Sequence, residues 1–412
     1  MRRAFFYGWV MTAVAFAVIL IGAGTRAAPG ALLVPIQADT GWTIGQITIA
    51  GAAGLLLLGL GGPISGVLID RYGVRRVTVW ALLLTAAGMG AAALASEVWQ
   101  LVLTFGLLSG FGAGLVSSAL GPVVANRWFV ARRGLVIGVF GAGASAGQLA
   151  FIPFLAALGG SEGWRTAVVV LAAIVAVMTV PALLLLRENP GDVGQAPLGQ
   201  PADTPAVARR ADPGIMRRAV RRPEFWLLAG TFFVCGATSN GVVGQHFIAH
   251  AVDHGFTTSV AAGALALMGV FNFAGTIASG WLTDRFDPRR LLLVYYVFRG
   301  ISLLFLPAIH DSTDILLFSV LFGLDYIATV PPTVALAADV FGRHNVGIVY
   351  GWIYAAHMLG AAILAQVAAV IRDTAGDYSL AYLTAGWMAV AAGIVILGLR
   401  RMGRPVPGLA PA

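Results

Sequence analysis

Of 412 residues, 58% are apolar and only 11% are charged, against roughly 25% charged in an ordinary soluble domain. So few charges do not coat a water-facing surface of this size, and the mean hydropathy of +0.86 agrees; the composition argues against a soluble enzyme, a nucleic-acid-binding domain and a secreted disulfide scaffold. The net charge of +8 rests on 26 arginines with no lysine, and the single cysteine, Cys235, permits neither an internal disulfide nor a thiolate cluster for a metal.

A membrane-spanning helix needs about 20 mostly apolar residues. Twelve stretches qualify: 7–36, 46–69, 77–96, 100–125, 134–158, 165–186, 224–250, 260–282, 291–309, 314–338, 346–370 and 379–399. Runs such as LLLLGLGG lack the apolar–polar alternation of a lipid-facing barrel strand. The opening MRRAFFYGWVMTAVAFAVIL has the basic and apolar regions of a signal peptide. Its apolar run continues to about Ile36 with no clear cleavage site, so a retained first membrane helix is expected.

Between the sixth and seventh stretches, Arg187 to Glu224 is polar, with Pro190, Pro201, Pro205, Pro213 and six arginines from Arg209 to Arg222. That composition suits a linker. It predicts two six-helix bundles, residues 1–187 and 224–412, joined by residues 188–223. The run MRRAVRRPEF either forms a short basic helix on anionic headgroups or simply holds solvated charges that fix topology. With the N-terminus inside, 22 arginines fall on cytoplasmic segments and two, Arg165 and Arg372, on outer loops. Positive charge collects on the cytoplasmic side of membrane proteins, so both termini and the linker are expected there.

Charged groups inside the bilayer cost roughly 2.5–3.5 kcal/mol each even on lenient scales, so each needs a reason. Arg26 lies within the first stretch, flanked by Gly22, Gly24, Pro29 and Gly30, which loosen the helix. Its planar fork suits a carboxylate; it is either a substrate group or a structural partner for an acid or a helix end. Arg299 and Asp325 fall mid-span in stretches nine and ten at similar depth, and a buried pair is the cheapest account of both. His357 is a titratable group mid-span in stretch eleven. His246, His250 and His254 recur every four residues near the outer end of stretch seven. No cysteine, and no acid beyond Asp253, accompanies them, so no metal site is expected; His246 is placed at a cavity mouth. Gln148, Asn240, Asn272 and Tyr326 are candidate uncharged lining groups.

One internal repeat stands out. SGVLIDRYGVRR, Ser65 to Arg76, follows stretch two, and SGWLTDRFDPRR, Ser279 to Arg290, follows stretch eight; seven of twelve positions are identical. Two six-helix units related about the membrane normal are a known transporter plan. The pattern G-x-L-x-D-R-[FY]-x-x-R-R resembles the loop signature of the major facilitator superfamily. That resemblance implies the two-bundle fold and a cytoplasmic gate at Gly66, Asp70, Arg71, Gly280, Asp284 and Arg285. The glycine would let helices approach, and the aspartate would accept hydrogen bonds from a helix N-terminus and from arginines. YGWVM at Tyr7 and NRWFVARRGLVIGVFGAGASAG from Asn126 are similar to bacterial relatives of the monocarboxylate transporter group. So is TVPPTVALAADVFGRHNVGIVYGWIYAAHMLGA from Thr329. In related oxalate/formate exchangers the eleventh helix supplies a cation, and here His357 stands in that helix. Small-residue spacings, Gly106/Gly110/Gly114, Gly134/Gly138 and Gly143/Gly147, mark close helix contacts.

Together these features imply a secondary transporter for a small organic anion, a monocarboxylate by resemblance, with Arg26 and His357 at its site. No GxxxxGK[ST] phosphate loop occurs, so ATP is not the direct energy source. Proton symport is what the resemblance implies, with exchange and facilitated diffusion open. Movement of another solute, such as an aromatic compound, a vitamin or a drug, is the alternative, and a polytopic membrane enzyme a remote one. No cofactor and no nucleic acid partner is expected; the chain is read as a monomer in the inner membrane of a bacterium.

Overall fold

The structure is a computed structural model that describes residues 5–117, 120–200, 212, 214–342 and 345–399. Arg2, Arg3, Arg209, Arg210, Arg343, Arg400, Arg401 and Arg404, and residues 201–211 and 213 of the expected linker, lie outside the described residues. Long helices dominate: α1 Gly8–Thr40, α2 Ile44–Tyr72, α3 Val74–Ala92, α4 Val98–Trp128, α5 Arg133–Ser161, α6 Trp164–Leu185, α7 Pro223–Asp253, α8 Thr258–Thr283, α9 Pro288–Ala308, α10 Ser312–Phe341, α11 Val346–Ala375 and α12 Ser379–Ile396.

Eleven of these are long and apolar enough to cross a membrane. The exception is α3, expected as the third span. It is a 19-residue helix whose second and third residues are Arg75 and Arg76, and these dilute its apolar stretch.

Local chemistry explains the boundaries. α1 stops at Gly41, whose φ of +69° turns the chain out of the helix while its N–H donates to Gln37 O. α2 restarts three residues later on a capping box: Gln46 N–H donates to Thr43 Oγ1 at 3.2 Å, and Thr43 N–H donates back to Gln46 Oε1 at 2.9 Å. α10 starts behind Asp311, whose carboxyl is held below its usual range by the N–H groups of Asp314 and Thr313.

The packing repeats itself. α1 lies against α5, α2 against α4, and α3 against α6; six helices later, α7 lies against α11, α8 against α10, and α9 against α12. Between the two sets, α2 packs on α11, α5 on α8, and α1 on α7. Burial follows this order. The most apolar window of α7 is 67% buried, while that of α6 is 28% buried, so much of α6 shows apolar side chains to lipid.

The glycine stripe on α4 is a true close contact. A Cβ on Gly106, Gly110 or Gly114 would stand 2.5–2.8 Å from α2 backbone atoms. Gly143 and Gly147 meet α1 similarly, whereas a Cβ on Gly138 would meet nothing within 4 Å. The two aromatic segments that carried the resemblance pack on each other. Phe129 sits 5.5 Å from Phe6 and 5.2 Å from Trp9, ring to ring.

In the repeated loop motif the serines carry the structure. Ser65 Oγ donates to Leu115 O, and Ser279 Oγ donates to Ala328 O at 2.6 Å, each fastening its helix to the one two along. The glycines do not. A Cβ on Gly66 or Gly280 would meet nothing within 4 Å, so the expected close approach is absent there. Asp70 lies 3.6 Å from Arg127, which is also 3.3 Å from Glu188. Glu188, rather than Asp70, caps α3, accepting from Val74 N at 2.7 Å and Arg75 N at 3.1 Å. The second copy is unlatched: among the described residues Asp284 makes no ion pair, and Arg285 lies over Trp281 at 3.9 Å. Arg71 lies over Tyr72 at 5.3 Å.

Candidate substrate site

Two irregular segments open the middle of the helix packing. α7 widens into a π-helical stretch at Ala237–Val243, which carries Asn240. Such stretches rotate the following side chains relative to an α-helix and frequently occur at functional sites. α10 breaks after Asp325 and resumes at Val330. Pro331 and Pro332 have no N–H to donate to the carbonyls four residues back, so the helix does not run through.

A narrow cavity lies between these segments and α1, α2, α5 and α8. It contains about 440 Å³ of non-atom space, open solvent included. Its polar lining is Arg26, Gln148, Asn240, Gln245 and Tyr326. Four of the five were expected from the sequence. Gln245 was not; it directly precedes His246, and the π-helical stretch is what turns it inward. A second hollow, lined by Pro29, Gly51 and Ser109 among others, shares Arg26 and Leu55 with the first.

Arg26 is half-buried, near the middle of α1, and no carboxylate lies within 4 Å of it among the described residues. Its charge acts on the hydroxyls of Tyr326 and Tyr354. A cation so placed binds an anion strongly, because little water competes for it.

The other intramembrane arginine is spent. Arg299 Nε donates to Asp325 Oδ2 at 2.6 Å with both side chains almost wholly buried. Its remaining nitrogens reach Asp325 O, Tyr326 O, and Cys235 O and Sγ.

His357 does not line the cavity but is wired to it. Tyr326 Oη–H donates to Asn240 Oδ1 at 3.1 Å, Asn240 Nδ2 stands 3.1 Å from His357 Nε2, and His357 Nδ1 stands 3.1 Å from Phe232 O. Asn272 is not part of the lining. It is buried between α8 and α5, donating to Ser145 Oγ at 3.3 Å and accepting from Thr276. Nor does His246 reach a cavity mouth. It is fully buried, its Nε2 2.8 Å from Ala365 O and its Nδ1 3.2 Å from the Tyr378 hydroxyl. Those bonds occupy both ring nitrogens, and no metal-holding cluster occurs among the described residues.

A many-helix membrane protein with a polar cavity between two similarly packed helix sets has the build of a solute transporter. The family model of the Major Facilitator Superfamily matches residues 14–365 and 247–411. The chain belongs to that superfamily, a family of transporters, and a membrane enzyme is thereby set aside. It is 28% identical over 414 residues to human monocarboxylate transporter 11, covering 96% of this chain and 83% of that one. It is 26% identical over 398 residues to rat monocarboxylate transporter 13, covering 95% and 89%. Among solved structures it superposes on a D-xylose–proton symporter with a TM-score of 0.74 at 16% identity, covering 95% and 97%.

Proposed function

We propose that this transporter moves a small organic anion, a monocarboxylate, by alternating access and together with a proton. The single observation that carries this is Arg26: a cation in the membrane interior, open to a cavity between the two helix sets and, among the described residues, without a carboxylate partner. Among the described residues Arg26, unlike the fully paired Arg299, has no acidic partner. The names of the relatives at 26–28% identity support the same substrate class.

A carboxylate on Arg26 would touch α1 from the first set and, through Tyr326 and Asn240, α10 and α7 from the second. Binding energy that differs between open and closed states is what drives the exchange of sides. The two sets are then the moving bodies, residues 1–187 and 224–412, joined by 188–223, with both termini and the linker cytoplasmic. The repeated packing pattern and the arginine asymmetry support this division and orientation. The single chain holds the whole cavity and so acts as a monomer, in the inner membrane of a bacterium.

Uptake into proteoliposomes of radiolabelled acetate, pyruvate, lactate and benzoate, beside xylose and a neutral amide as controls, tests the proposal. Saturable uptake of at least one acid, stimulated by an inward proton gradient, is expected. Uptake of the neutral solutes alone contradicts it.

A further inference from the structure

The chain of bonds from Tyr326 to His357 has a direction, and the backbone fixes it. Phe232 O is a carbonyl and only accepts, so the hydrogen of neutral His357 sits on Nδ1, 3.1 Å away. Nε2 is then an acceptor, and the group 3.1 Å from it must be the Asn240 nitrogen. With Asn240 reversed, two acceptors would face each other. Asn240 Oδ1 therefore faces Tyr326 and takes its hydroxyl hydrogen at 3.1 Å. The only hydrogen on Tyr326 Oη is committed to Asn240, so the oxygen would offer an anion beside Arg26 nothing but lone pairs.

We infer that Asn240 is a polarity switch that links a proton on His357 to an anion beside Arg26, a step that rests on the Arg26 site proposed above. A proton taken from water forms one N–H bond at His357 Nε2, which becomes a donor. The Asn240 amide turns over, so that Oδ1 accepts from Nε2–H and Nδ2 donates to Tyr326 Oη. The Tyr326 hydrogen, released from Asn240, swings into the cavity and donates to a carboxylate oxygen. One proton is added and no other covalent bond changes. An anion and a proton load together, with no net charge added to the site.

The surroundings of His357 reinforce the sign. Facing it are Cys235 on α7 and Tyr354 on its own helix, whose ring stacks 5.6 Å away, with Tyr350 against Tyr354 beyond. Behind Cys235 stand Arg299 of α9 and Asp325 of α10, which neutralise each other. From α1 the unpaired charge is Arg26, which acts on Tyr354. An anion bound beside Arg26 would offset that charge. By reciprocity, whatever factor the proton adds to anion affinity, the anion adds to proton affinity. One hydrogen bond to a charged acceptor corresponds to roughly tenfold.

Two measurements test the switch on the full-length protein in nanodiscs. The first is equilibrium binding of acetate, pyruvate, lactate and benzoate between about pH 5 and pH 8, the range of histidine titration. In the wild type, Kd for the acid bound tightest should rise about tenfold from the acid to the alkaline arm. Asn240→Leu frees the Tyr326 hydrogen at every pH and Tyr326→Phe removes it, so in both variants the ratio of Kd between the two arms should fall to about one, whatever the absolute affinity. A tenfold pH dependence surviving in Asn240→Leu overturns the switch while leaving Arg26 as anion site. Absence of any carboxylate binding by the wild type contradicts the Arg26 site itself. The second measurement needs neither substrate nor a folded variant of Asn240: ¹⁵N NMR of histidine-labelled protein, with the His357 signals assigned through His357→Gln. The Nδ1–H tautomer is expected at alkaline pH, and the Nε2–H tautomer there removes the basis of the switch.

Discussion

Arg299 and Asp325 form an ion pair with a 2.6 Å contact, and their side chains are 0% and 1% exposed. The pair does more than neutralise itself. Arg299 also binds the carbonyls of Asp325 and Tyr326, at 2.8 and 3.1 Å, at the break in α10, and Cys235 O at 3.3 Å just before the π-helical stretch of α7. It thus braces the two irregular segments that present Tyr326 and Asn240 to the cavity.

Removing one member of such a pair leaves a buried charge, at a cost of about 3–5 kcal/mol. Arg299→Gln and Asp325→Asn should each lower the thermal midpoint and the yield of folded protein. The double variant should recover relative to at least one single variant. Strictly additive losses in a double-mutant cycle would show that the two charges do not stabilise each other.

Asp373, at the end of α11, accepts from Gly45 N at 2.7 Å and Ile44 N at 3.2 Å, and so caps the first turn of α2 from the other helix set. Gln366 adds a bond to Gly45 O at 3.2 Å. A carboxylate on the positive end of a helix is stabilising, and this one holds the proposed outer side shut. Asp373→Ala should shift the protein toward the outward-open state. A cysteine at Ala27, on the cavity wall, should then react faster with an impermeant thiol reagent added outside. An unchanged labelling rate would remove Asp373 from the outer gate.

Gly236 faces α11 so closely that a Cβ would lie 1.8 Å from His357 O. Gly236→Ala should push α7 off α11, destabilise the protein by about 1–3 kcal/mol and stop transport. Gly280→Ala, in the loop motif with open space around it, should leave stability within about 0.5 kcal/mol. Equal effects of the two on thermal melting would contradict the packing described.

The arginine asymmetry, 22 against 2, makes a topological prediction. A cysteine at Asp203, in the linker, should resist an impermeant thiol reagent in intact cells and label once the membrane is broken. Ready labelling of intact cells reverses the orientation.

The amino-acid pattern reports depth along a helix well and rotation about it poorly, and the outcomes divide along that line. Apolar runs located the helices, and equal depth brought Arg299 and Asp325 together. Arg26, Gln148, Asn240 and Tyr326 all meet at the cavity, since glycine, proline and polar groups in apolar runs mark where helices open. Asn272 and His246 have the same kind of depth but point elsewhere, into helix–helix contacts. The π-helical stretch Ala237–Val243 shifts the face of α7 and turns Gln245 inward, and nothing in the local sequence gives that shift. Glu188 as the cap of α3 depends on a contact over 114 positions. α3 fell short as a span because Arg75 and Arg76 belong to the helix rather than to the loop before it.

The central claim is that Arg26 holds the carboxylate of the substrate, and carboxylate binding by Arg26 variants tests it most directly. Arg26→Lys keeps the charge but loses the two-pronged fork, and Arg26→Ala loses both. At matched incorporation into proteoliposomes and unchanged thermal stability, Arg26→Lys should bind and take up the preferred carboxylate at least about tenfold less well. Arg26→Ala should show no saturable uptake. Carboxylate uptake by Arg26→Ala at the wild-type rate and KM would contradict the account.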